Sequence, residues 1–286
     1  MSEEAHRLDC TTVISTKDFS RLKEFLYKEC GIKITDSKKT MLETRLQRRL
    51  RALGLSSFSS YCDYLFRPEA KEDELIQAID AVTTNKTDFF REPAHFDYLT
   101  RHALPDLVGD GCGRRTITIW SAGCSTGEEP YTLAMVMKGF AEIHRSMAFE
   151  ILATDISTRV LEKAQLGIYD EERIQPIPDP FKKAFLLKSR DISKKVYRVV
   201  PELRDKVRFR RLNFMDGDFG FREEMDVIFC RNVIIYFDKQ TQERLLNRFC
   251  AHLSDEGYLF VGHSETLLGM DVPLVQVAPT IYRKRA

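Results

Sequence analysis

The sequence has no long apolar run, no paired cysteines and hardly any net charge, and each absence excludes a class of protein. No apolar run approaches the ~18 residues of a membrane-spanning helix, so direct insertion into a membrane is not expected. The seven cysteines are an odd number, widely spaced and without a C-x-x-C pair, which argues against a disulfide framework and a zinc site. Two acids stand near the N-terminus where a secretory signal would be basic, so we expect a cytoplasmic protein.

Several motifs of catalysis and nucleotide binding are missing as well. No H-E-x-x-H occurs among the six histidines, and His263 with Ser264 lacks the G-x-S-x-G elbow of a hydrolase. The small-residue turn of residues 121–127 fits neither the Walker A loop nor the G-x-G-x-x-G of dinucleotide-binding folds. We therefore expect no metal, no serine hydrolase site and no P-loop.

Charge is nearly balanced overall but unevenly distributed. The net charge of +1 excludes a generically basic nucleic-acid coat protein. Residues 33–51 nevertheless carry seven bases against two acids, and residues 182–211 carry twelve against three. Between them, residues 53–80 carry two bases against six acids. Two basic islands (33–51 and 182–211) in a neutral protein indicate an acidic partner at defined places.

Residues 1–82 have helical periodicity. Apolar residues recur at helical spacing, and glycines follow the first two segments. None of the segments is long enough to be stable alone, so a small all-α domain is expected over residues 1–82. Its predicted helices cover residues 19–31, 36–54, 57–66 and 69–82.

After a linker and connecting helix at residues 83–115, short apolar runs alternate with helical segments. This alternation predicts an α/β domain over residues 116–286, with a mainly parallel, Rossmann-like sheet that binds its ligand at the carboxyl ends of the strands. Residues 185–201 interrupt the alternation and predict an inserted antiparallel β-hairpin. The predicted strands are 116–120, 150–154, 207–212, 226–230, 258–262, 274–277 and 281–283, and the predicted helices are 131–144, 158–166 and 239–252.

The most informative segment is W-S-A-G-C-S-T-G-E-E-P-Y, residues 120–131, which joins the first strand to its helix. Gly123 and Gly127 let the backbone approach a ligand, and the N–H groups at a helix start favour an anion. Asp155 ends the next strand, where a carboxylate either binds ribose hydroxyls or caps the following helix. Glu129 either faces a ligand ammonium or complements the helix dipole.

Four blocks resemble the signature blocks of the bacterial chemotaxis receptor methyltransferases, the CheR family. They are T-T-N-K-T-D-F-F-R-E (83–92), the turn at 120–131, F-C-R-N-V-I-I-Y-F (229–237) and G-H-S-E (262–265). Residues 36–55 resemble the basic helix of its N-terminal domain. The resemblance implies a class I S-adenosylmethionine-dependent methyltransferase. It would esterify glutamate side chains of chemoreceptors for chemotactic adaptation and release S-adenosylhomocysteine, without a metal.

The resemblance also assigns roles to matching positions. Arg91 and Tyr236 correspond to the residues nearest the transferred methyl group. Apart from the resemblance, the residues favour a surface ion pair of Arg91 with Asp88 or Glu92, and an ordinary buried ring for Tyr236. The turn residues Cys124 and Ser125 depart from other members, which we expect to be neutral. The implied cofactor-binding residues are Asn85, Thr87, Arg91, Gly123, Glu129, Asp155, Leu212, Asn213, Arg231 and Asn232.

The implied chemistry needs little from the protein beyond alignment. A glutamate carboxylate is already a nucleophile and a sulfonium methyl is already activated, so catalysis depends on holding oxygen, carbon and sulfur in line. An arginine suits this purpose because its planar fork fixes a carboxylate. We therefore expect Arg91 to orient a carboxylate and Tyr236 to donate a hydrogen bond beside the reacting centre.

The resemblance implies a bacterial, cytoplasmic monomer that is recruited to receptor arrays. Arg45, Arg48 and Arg49 share one helix face with Arg51 beside them, and this row would dock on the cytoplasmic helical domain of the receptor. The inserted hairpin matches in position a subdomain that captures a receptor C-terminal tail in some relatives only, by strand addition.

The residues leave three other functions open. The basic islands favour a nucleic-acid methyltransferase, but the segment after the fourth strand is C-R-N-V-I-I-Y-F and not [DN]-P-P-[YF], so no nucleic-acid partner is expected. A methyltransferase for another protein, or a non-catalytic adaptor that senses the cofactor, is the remaining alternative.

Overall fold

The protein is described by a computed structural model that covers residues 13–67, 72–109, 115–144, 147–191 and 193–285. The chain divides between Thr84 and Asn85 into two compact units. In the part of the chain that the structure describes, we find no helix of the length and apolarity that crossing a membrane requires.

The first unit contains the predicted helices. A hydroxyl oxygen of Ser15 accepts the Asp18 N–H at the start of the first helix, and glycines at positive φ, Gly31 (70°) and Gly54 (66°), end the first two. The predicted beginning of the fourth helix at residue 69 lies outside the described residues. The helices are α1 (Thr16–Cys30), α2 (Lys39–Leu53), α3 (Phe58–Leu65) and α4 (Glu72–Val82).

The second unit is an α/β fold with short helices before its first strand. Residues 99–103 form a π-helical turn between the first two helices. The elements in chain order are α5 (Pro93–Tyr98), α6 (Leu104–Val108), β1 (Arg115–Ala122), α7 (Glu128–Ile143), β2 (Met147–Asp155), α8 (Thr158–Leu166), β3 (Ile168–Asp170), α9 (Asp179–Phe185), β4 (Leu186–Lys188), β5 (Val196–Val199), α10 (Pro201–Arg204), β6 (Val207–Arg211), β7 (Met225–Cys230), α11 (Lys239–His252), β8 (Leu253–Val261), β9 (Leu274–Ala278) and β10 (Ile281–Lys284).

The main sheet has seven strands in the order β6-β2-β1-β7-β8-β10-β9. The first five in that order pair in parallel, and β10 is antiparallel to both β8 and β9. Every residue of β7 is buried, as expected for a parallel strand covered on both faces. The predicted fold class, an all-α unit followed along the chain by an α/β unit with a mainly parallel, Rossmann-like sheet, is confirmed.

The inserted subdomain is larger than the hairpin predicted at residues 185–201. β4 and β5 pair antiparallel as predicted, but β3 pairs with the other side of β5, so that the order is β3-β5-β4. β3 has three residues, which is too short for the alternation that identifies a strand in a sequence. The small sheet therefore starts at residue 168, before α9, and among the described residues no further strand pairs with the outer edges of β3 and β4.

Buried aromatic rings fix the centre of the main sheet. The rings of Phe229 in β7 and Phe260 in β8 stack with centroids 4.3 Å apart, and both are fully buried. Trp120 in β1 is also fully buried and donates its indole N–H to Thr154 Oγ1 in β2 at 2.9 Å. Such packing holds the carboxyl ends of these strands at fixed positions relative to each other.

Candidate functional site

The cofactor residues implied by the resemblance meet at one edge of the main sheet. β6, β2, β1 and β7 are neighbours, and their residues pair so that Ala122 lies beside Thr154 and Asp155 beside Arg211. The ends of these four strands and the segments that follow them carry Gly123, Glu129, Asp155, Leu212, Asn213, Arg231 and Asn232. A parallel sheet binds its ligand at this edge, where helix starts and strand ends converge.

The turn after β1 has an unusual backbone. Gly123 (φ 90°), Ser125 (49°) and Gly127 (96°) all have positive φ, and the Gly123 and Cys124 N–H groups donate to the Thr154 carbonyl oxygen. A Cβ at Gly123 would lie 2.5 Å from Val233 Cγ2, and one at Gly127 would lie 2.7 Å from Tyr169 Oη. Glycine is thus needed at both positions by conformation and by space.

Asp155 fastens this turn to the end of β2. Its Oδ2 accepts the Ser125 N–H at 2.8 Å and its Oδ1 accepts the Ser157 N–H at 3.0 Å, while the residue is 8% exposed. Ser157, not Asp155, is the N-cap of α8, because its hydroxyl oxygen accepts the Val160 N–H. The helix-capping alternative for Asp155 is therefore wrong, and its carboxylate faces the turn.

Glu129 is held by a buried ion pair. Its Oε2 accepts from Arg231 Nε at 2.7 Å, and its Oε1 accepts from Ser121 Oγ at 2.7 Å. The Arg231 side chain is 2% exposed, and its Nη1 also donates to the carbonyl oxygen of Arg91 at 2.6 Å. Arg231 thus links the start of α7 to the backbone of the segment that contains Arg91.

Residues 85–91 pass beside the start of α7. Ser125 Oγ donates to the Asn85 carbonyl oxygen at 2.9 Å. Arg173 donates to the carbonyl oxygen of buried Thr87 at 3.1 Å and pairs with Glu128 at 2.8 Å. Arg173 was missed by the sequence analysis, since it lies 86 residues from Thr87 and carries no motif.

Arg91 lies in a strained backbone segment. Its neighbours Phe90 (φ 52°) and Glu92 (φ 57°) are both left-handed, which costs non-glycine residues energy and is common at functional sites. Its Nη1 donates to the Lys86 carbonyl oxygen at 3.1 Å. The expected alternatives are not formed among the described residues, because Asp88 pairs with Arg173 and Glu92 with Arg231.

The remaining candidates lie in loops after β6 and β7. The Leu212 N–H donates to the Asp155 carbonyl oxygen, and Asn213 Oδ1 accepts the Met215 N–H at 3.0 Å. Asn232 (φ 60°) begins the loop after Arg231, and half-buried Tyr236 ends a 3₁₀ turn in that loop. These residues lie in the loops that follow the carboxyl ends of β6 and β7.

Burial dominates the titration of groups around the site. It raises the pKa of the Cys124 and Cys230 thiols well above the usual value, so both are neutral and unreactive. It raises the pKa of the Glu128 carboxyl, against the hydrogen bond from Thr126. Burial, with the nearby charge of Arg231, lowers the pKa of His95 to about 4.

The five cysteines of the described residues are all free and buried, and Cys10 and Cys112 lie outside these residues.

Glu92, His95 and His263 bring their possible ligand atoms within 4.8 Å of one another. Arg231 Nη1 lies 3.3 Å from His95 Nδ1 and 3.6 Å from Glu92 Oε2. The positively charged guanidinium of Arg231 therefore already occupies the side of His95 and Glu92 from which their lone pairs would bind a metal ion.

The arginine row of α2 divides into two pairs. Arg45 donates to the Val82 and Thr83 carbonyl oxygens, and Arg49 forms a two-point salt bridge with buried Glu74. Arg48 and Arg51 are exposed. Half of the predicted docking row thus has partners inside its own unit.

Comparison with known proteins gives matches over both units. A family model described as "CheR methyltransferase, SAM binding domain" matches residues 85–282, and one described as "CheR methyltransferase, all-alpha domain" matches residues 17–83. The chain is 39% identical to a chemotaxis protein methyltransferase of Borreliella burgdorferi, covering 99% of this chain and 100% of that protein. It is 42% identical to chemotaxis protein methyltransferase 2 of Pseudomonas aeruginosa (93% of this chain and 92% of that protein covered) and 36% identical to the chemotaxis protein methyltransferase of Escherichia coli (94% and 91%).

Proposed function

Since the chain belongs to the CheR methyltransferase family, we propose that it transfers the methyl group of S-adenosylmethionine to glutamate side chains of chemoreceptors, as a protein-glutamate O-methyltransferase. The relatives named chemotaxis protein methyltransferase cover nearly the whole chain. The observation that carries the proposal is the meeting of the glycine turn, Glu129 and Asp155 at the edge formed by β2, β1 and β7.

The donor set at this edge fits adenosylmethionine. Two carboxylates that are 8% exposed, Glu129 and Asp155, suit an ammonium and ribose hydroxyls, and the glycines of the turn let a ligand approach the backbone. Asn85, Thr87, Leu212, Asn213 and Asn232 complete the proposed binding residues. When bound, the cofactor supplies an electrophilic methyl group and leaves as S-adenosylhomocysteine.

The protein's own part in the reaction is alignment and exclusion of water. We assign to Arg91 the orientation of a carboxylate, because the strained Phe90 and Glu92 hold its backbone and Arg231 holds its carbonyl oxygen. Tyr236 is assigned a hydrogen bond donated beside the reacting centre. Neither role requires a proton to be removed, since the substrate glutamate attacks as its carboxylate.

The receptor contacts are proposed for two surfaces. Exposed Arg48 and Arg51 of α2 face an acidic receptor helix, while Arg45 and Arg49 hold the helix that presents them. The open edges of β3 and β4 suit the addition of a receptor tail as a strand. A cytoplasmic monomer recruited to receptor arrays is part of the same proposal.

The function is tested with methyl-labelled adenosylmethionine and membranes that carry candidate receptors. We expect the receptor to be labelled and the label to be lost as methanol in mild base, as a glutamyl methyl ester requires. A base-stable label, or a label on added RNA or DNA, would contradict the proposal.

Arg91 is tested in the same assay. Arg91→Ala should lower kcat/KM about 100-fold or more, because misalignment at the reacting centre is costly. Glu142→Gln, at an exposed position near the end of α7, is the matched control. Normal receptor methylation by Arg91→Ala would remove this residue from the site.

A further inference from the structure

Glu265 is a buried carboxylate that lies between two loops at the active edge of the sheet. It belongs to G-H-S-E, the segment that follows β8, and it is 5% exposed. Its Oε2 accepts the N–H of Gly262 at 2.6 Å and the N–H of Asn232 at 2.8 Å. Its Oε1 accepts the N–H of Ile235 at 3.3 Å. One side chain thus binds the backbone of the loops after both β7 and β8.

These bonds meet the electrostatic needs of a buried carboxylate. Burial raises the pKa of Glu265, and the backbone N–H groups of Asn232, Gly262, Ile235 and Val233 act in the opposite direction. A buried acceptor keeps its place only if donors surround it, so the donors and the carboxylate fix one another. The geometry of residues 232–235 therefore depends on a residue thirty positions further along the chain.

The two loops also fit together without spare room. Asn232 has a left-handed backbone (φ 60°), which lets its N–H point to Glu265. A Cβ at Gly262 would lie 2.4 Å from Asn232 Nδ2 and 2.8 Å from Asn232 N. The close approach of Gly262 and the bond to Glu265 together determine the conformation of Asn232.

The loop that Glu265 holds carries functional residues of the proposed reaction. Arg231 and Asn232 begin this loop, and Tyr236 ends its 3₁₀ turn. Glu265 accepts the N–H groups of Asn232 and Ile235 in the same loop. The anchored N–H groups therefore adjoin the residues assigned to the cofactor and to the reacting centre.

From this arrangement we propose that Glu265 is a positioning residue, which holds Asn232 for the cofactor and Tyr236 for the methyl group without touching either ligand. This inference rests on the proposed function for the roles of Asn232 and Tyr236. The anchoring itself concerns only the backbone of residues 232–235 and 262.

The test compares Glu265→Gln and Glu265→Leu with the wild type and with the exposed control Glu142→Gln. Glutamine keeps the shape and one acceptor oxygen, whereas leucine keeps the approximate shape and has no acceptor. Amide hydrogen exchange is followed at Asn232, Ile235 and Gly262, with amides of β1 and α7 as a measure of intact folding. Calorimetry gives the affinity for S-adenosylhomocysteine, and receptor methylation gives kcat and KM.

We expect faster exchange at all three anchored amides in Glu265→Leu, and in Glu265→Gln at the amides that lose their acceptor oxygen, with unchanged exchange in β1 and α7. The affinity for S-adenosylhomocysteine should fall, and kcat should fall by about 10- to 100-fold, as sub-ångström to ångström misplacement of active-site groups predicts. Both quantities should fall further in Glu265→Leu than in Glu265→Gln. The receptor KM should stay within about twofold of wild type, because the variants disturb the alignment of the reacting groups and not the docking of the receptor.

Unchanged amide exchange and cofactor affinity in Glu265→Leu would overturn the inference. If Glu265→Leu fails to fold, Glu265→Gln alone decides by the same two readouts. If the wild type methylates no receptor but both variants loosen the anchored amides and weaken S-adenosylhomocysteine binding, the proposed substrate is wrong and the positioning role stands.

Discussion

Arg231 concentrates the buried charge of the site at one residue. Its guanidinium is almost fully buried, pairs with Glu129 at 2.7 Å, lies 3.6 Å from Glu92 and stands over the rings of Phe96 and Phe229. The carboxylates around it would be costly to bury without a cation, and the cation would be costly to bury without them. Arg231, Glu129 and Glu92 therefore stabilise the fold only when all three are present.

Replacement of Arg231 by methionine should destabilise the protein strongly. We expect a loss of about 3–5 kcal/mol, because Glu129 and Glu92 would be left buried without their cation. The measurement is urea unfolding, and the control is Arg208→Met, whose 3.7 Å pair with Glu223 is exposed on both sides. A similar loss in the two variants would contradict the buried-charge argument, as would no recovery on adding Glu129→Gln to Arg231→Met.

His95 should make the stability of the protein depend on pH. Its folded pKa is lowered to about 4, so between pH ~6.5 and pH ~4 the unfolded chain binds a proton that the folded protein does not. Stability is therefore lost as pH falls through this window. From pH 7 to pH 5 the contribution of His95 amounts to about 2 kcal/mol.

The His95 contribution is isolated with His95→Gln. The free energy of unfolding, measured in urea at pH 7 and pH 5, should fall by about 2 kcal/mol less in the variant than in the wild type. Carboxyls with raised pKa, such as Glu128 and Glu265, act in the opposite direction in both proteins and cancel in this difference. Equal pH dependence of the two proteins would show that folding does not lower the pKa of His95.

At the scale of elements, helix α2 has two arginines that bind groups of its own unit, Arg45 and Arg49, and two that are exposed, Arg48 and Arg51. Arg48→Glu with Arg51→Glu should weaken receptor binding about 5- to 10-fold at low salt and leave unfolding within ~0.5 kcal/mol, because both are exposed. Arg49→Met should instead destabilise by about 3 kcal/mol, since it leaves Glu74 buried and unpaired. Affinity is measured by co-sedimentation with receptor membranes and stability by urea unfolding. Unchanged receptor binding by the double reversal would remove α2 from the interface.

The turn between β1 and α7 depends on glycine for two separate reasons. Gly123→Ala should cost about 2–3 kcal/mol, because the new Cβ meets Val233 and the backbone stays left-handed. Gly269→Ala is the matched control, since Gly269 also has positive φ (77°) but open space around it, and should cost only about 1 kcal/mol. Thermal or urea unfolding measures both.

A double variant separates the two contributions at Gly123. Adding Val233→Ala should recover the part of the loss that comes from overlap and none of the part that comes from backbone strain. Equal losses in Gly123→Ala and Gly269→Ala would show that space at the turn is unimportant.

At the scale of the whole molecule, a net charge of +1 conceals two basic islands. Raising NaCl from ~0.1 M to ~1 M shortens the screening length from about 10 Å to about 3 Å. Receptor affinity should therefore fall about tenfold, as expected for a few exposed ion pairs worth ~0.5 kcal/mol each. Affinity for S-adenosylhomocysteine should change less than about twofold, because Glu129 and Asp155 are 8% exposed. Equal salt dependence of the two affinities would contradict the proposal that exposed charges bind the receptor and buried charges bind the cofactor.

Much of the architecture was predictable because it depends on local patterns. The leucines of α2 and the apolar run of β7 gave the correct element types, because a 3.6-residue period follows from helix geometry and a short unbroken apolar run is typical of a parallel strand buried on both faces. β3 was missed because its three residues carry no period, and only its pairing with β5 makes it a strand.

The sequence by itself determined the fold class, the family resemblance and the order of the site segments along the chain. These depend on residue type and spacing, which the chain carries before it folds. Only the tertiary structure decided which groups meet there: Arg231 with Glu129, Arg173 with Thr87, and Glu265 with Asn232. Those partners are 102, 86 and 33 residues apart, and no local pattern encodes a contact that parallel strand pairing and burial create.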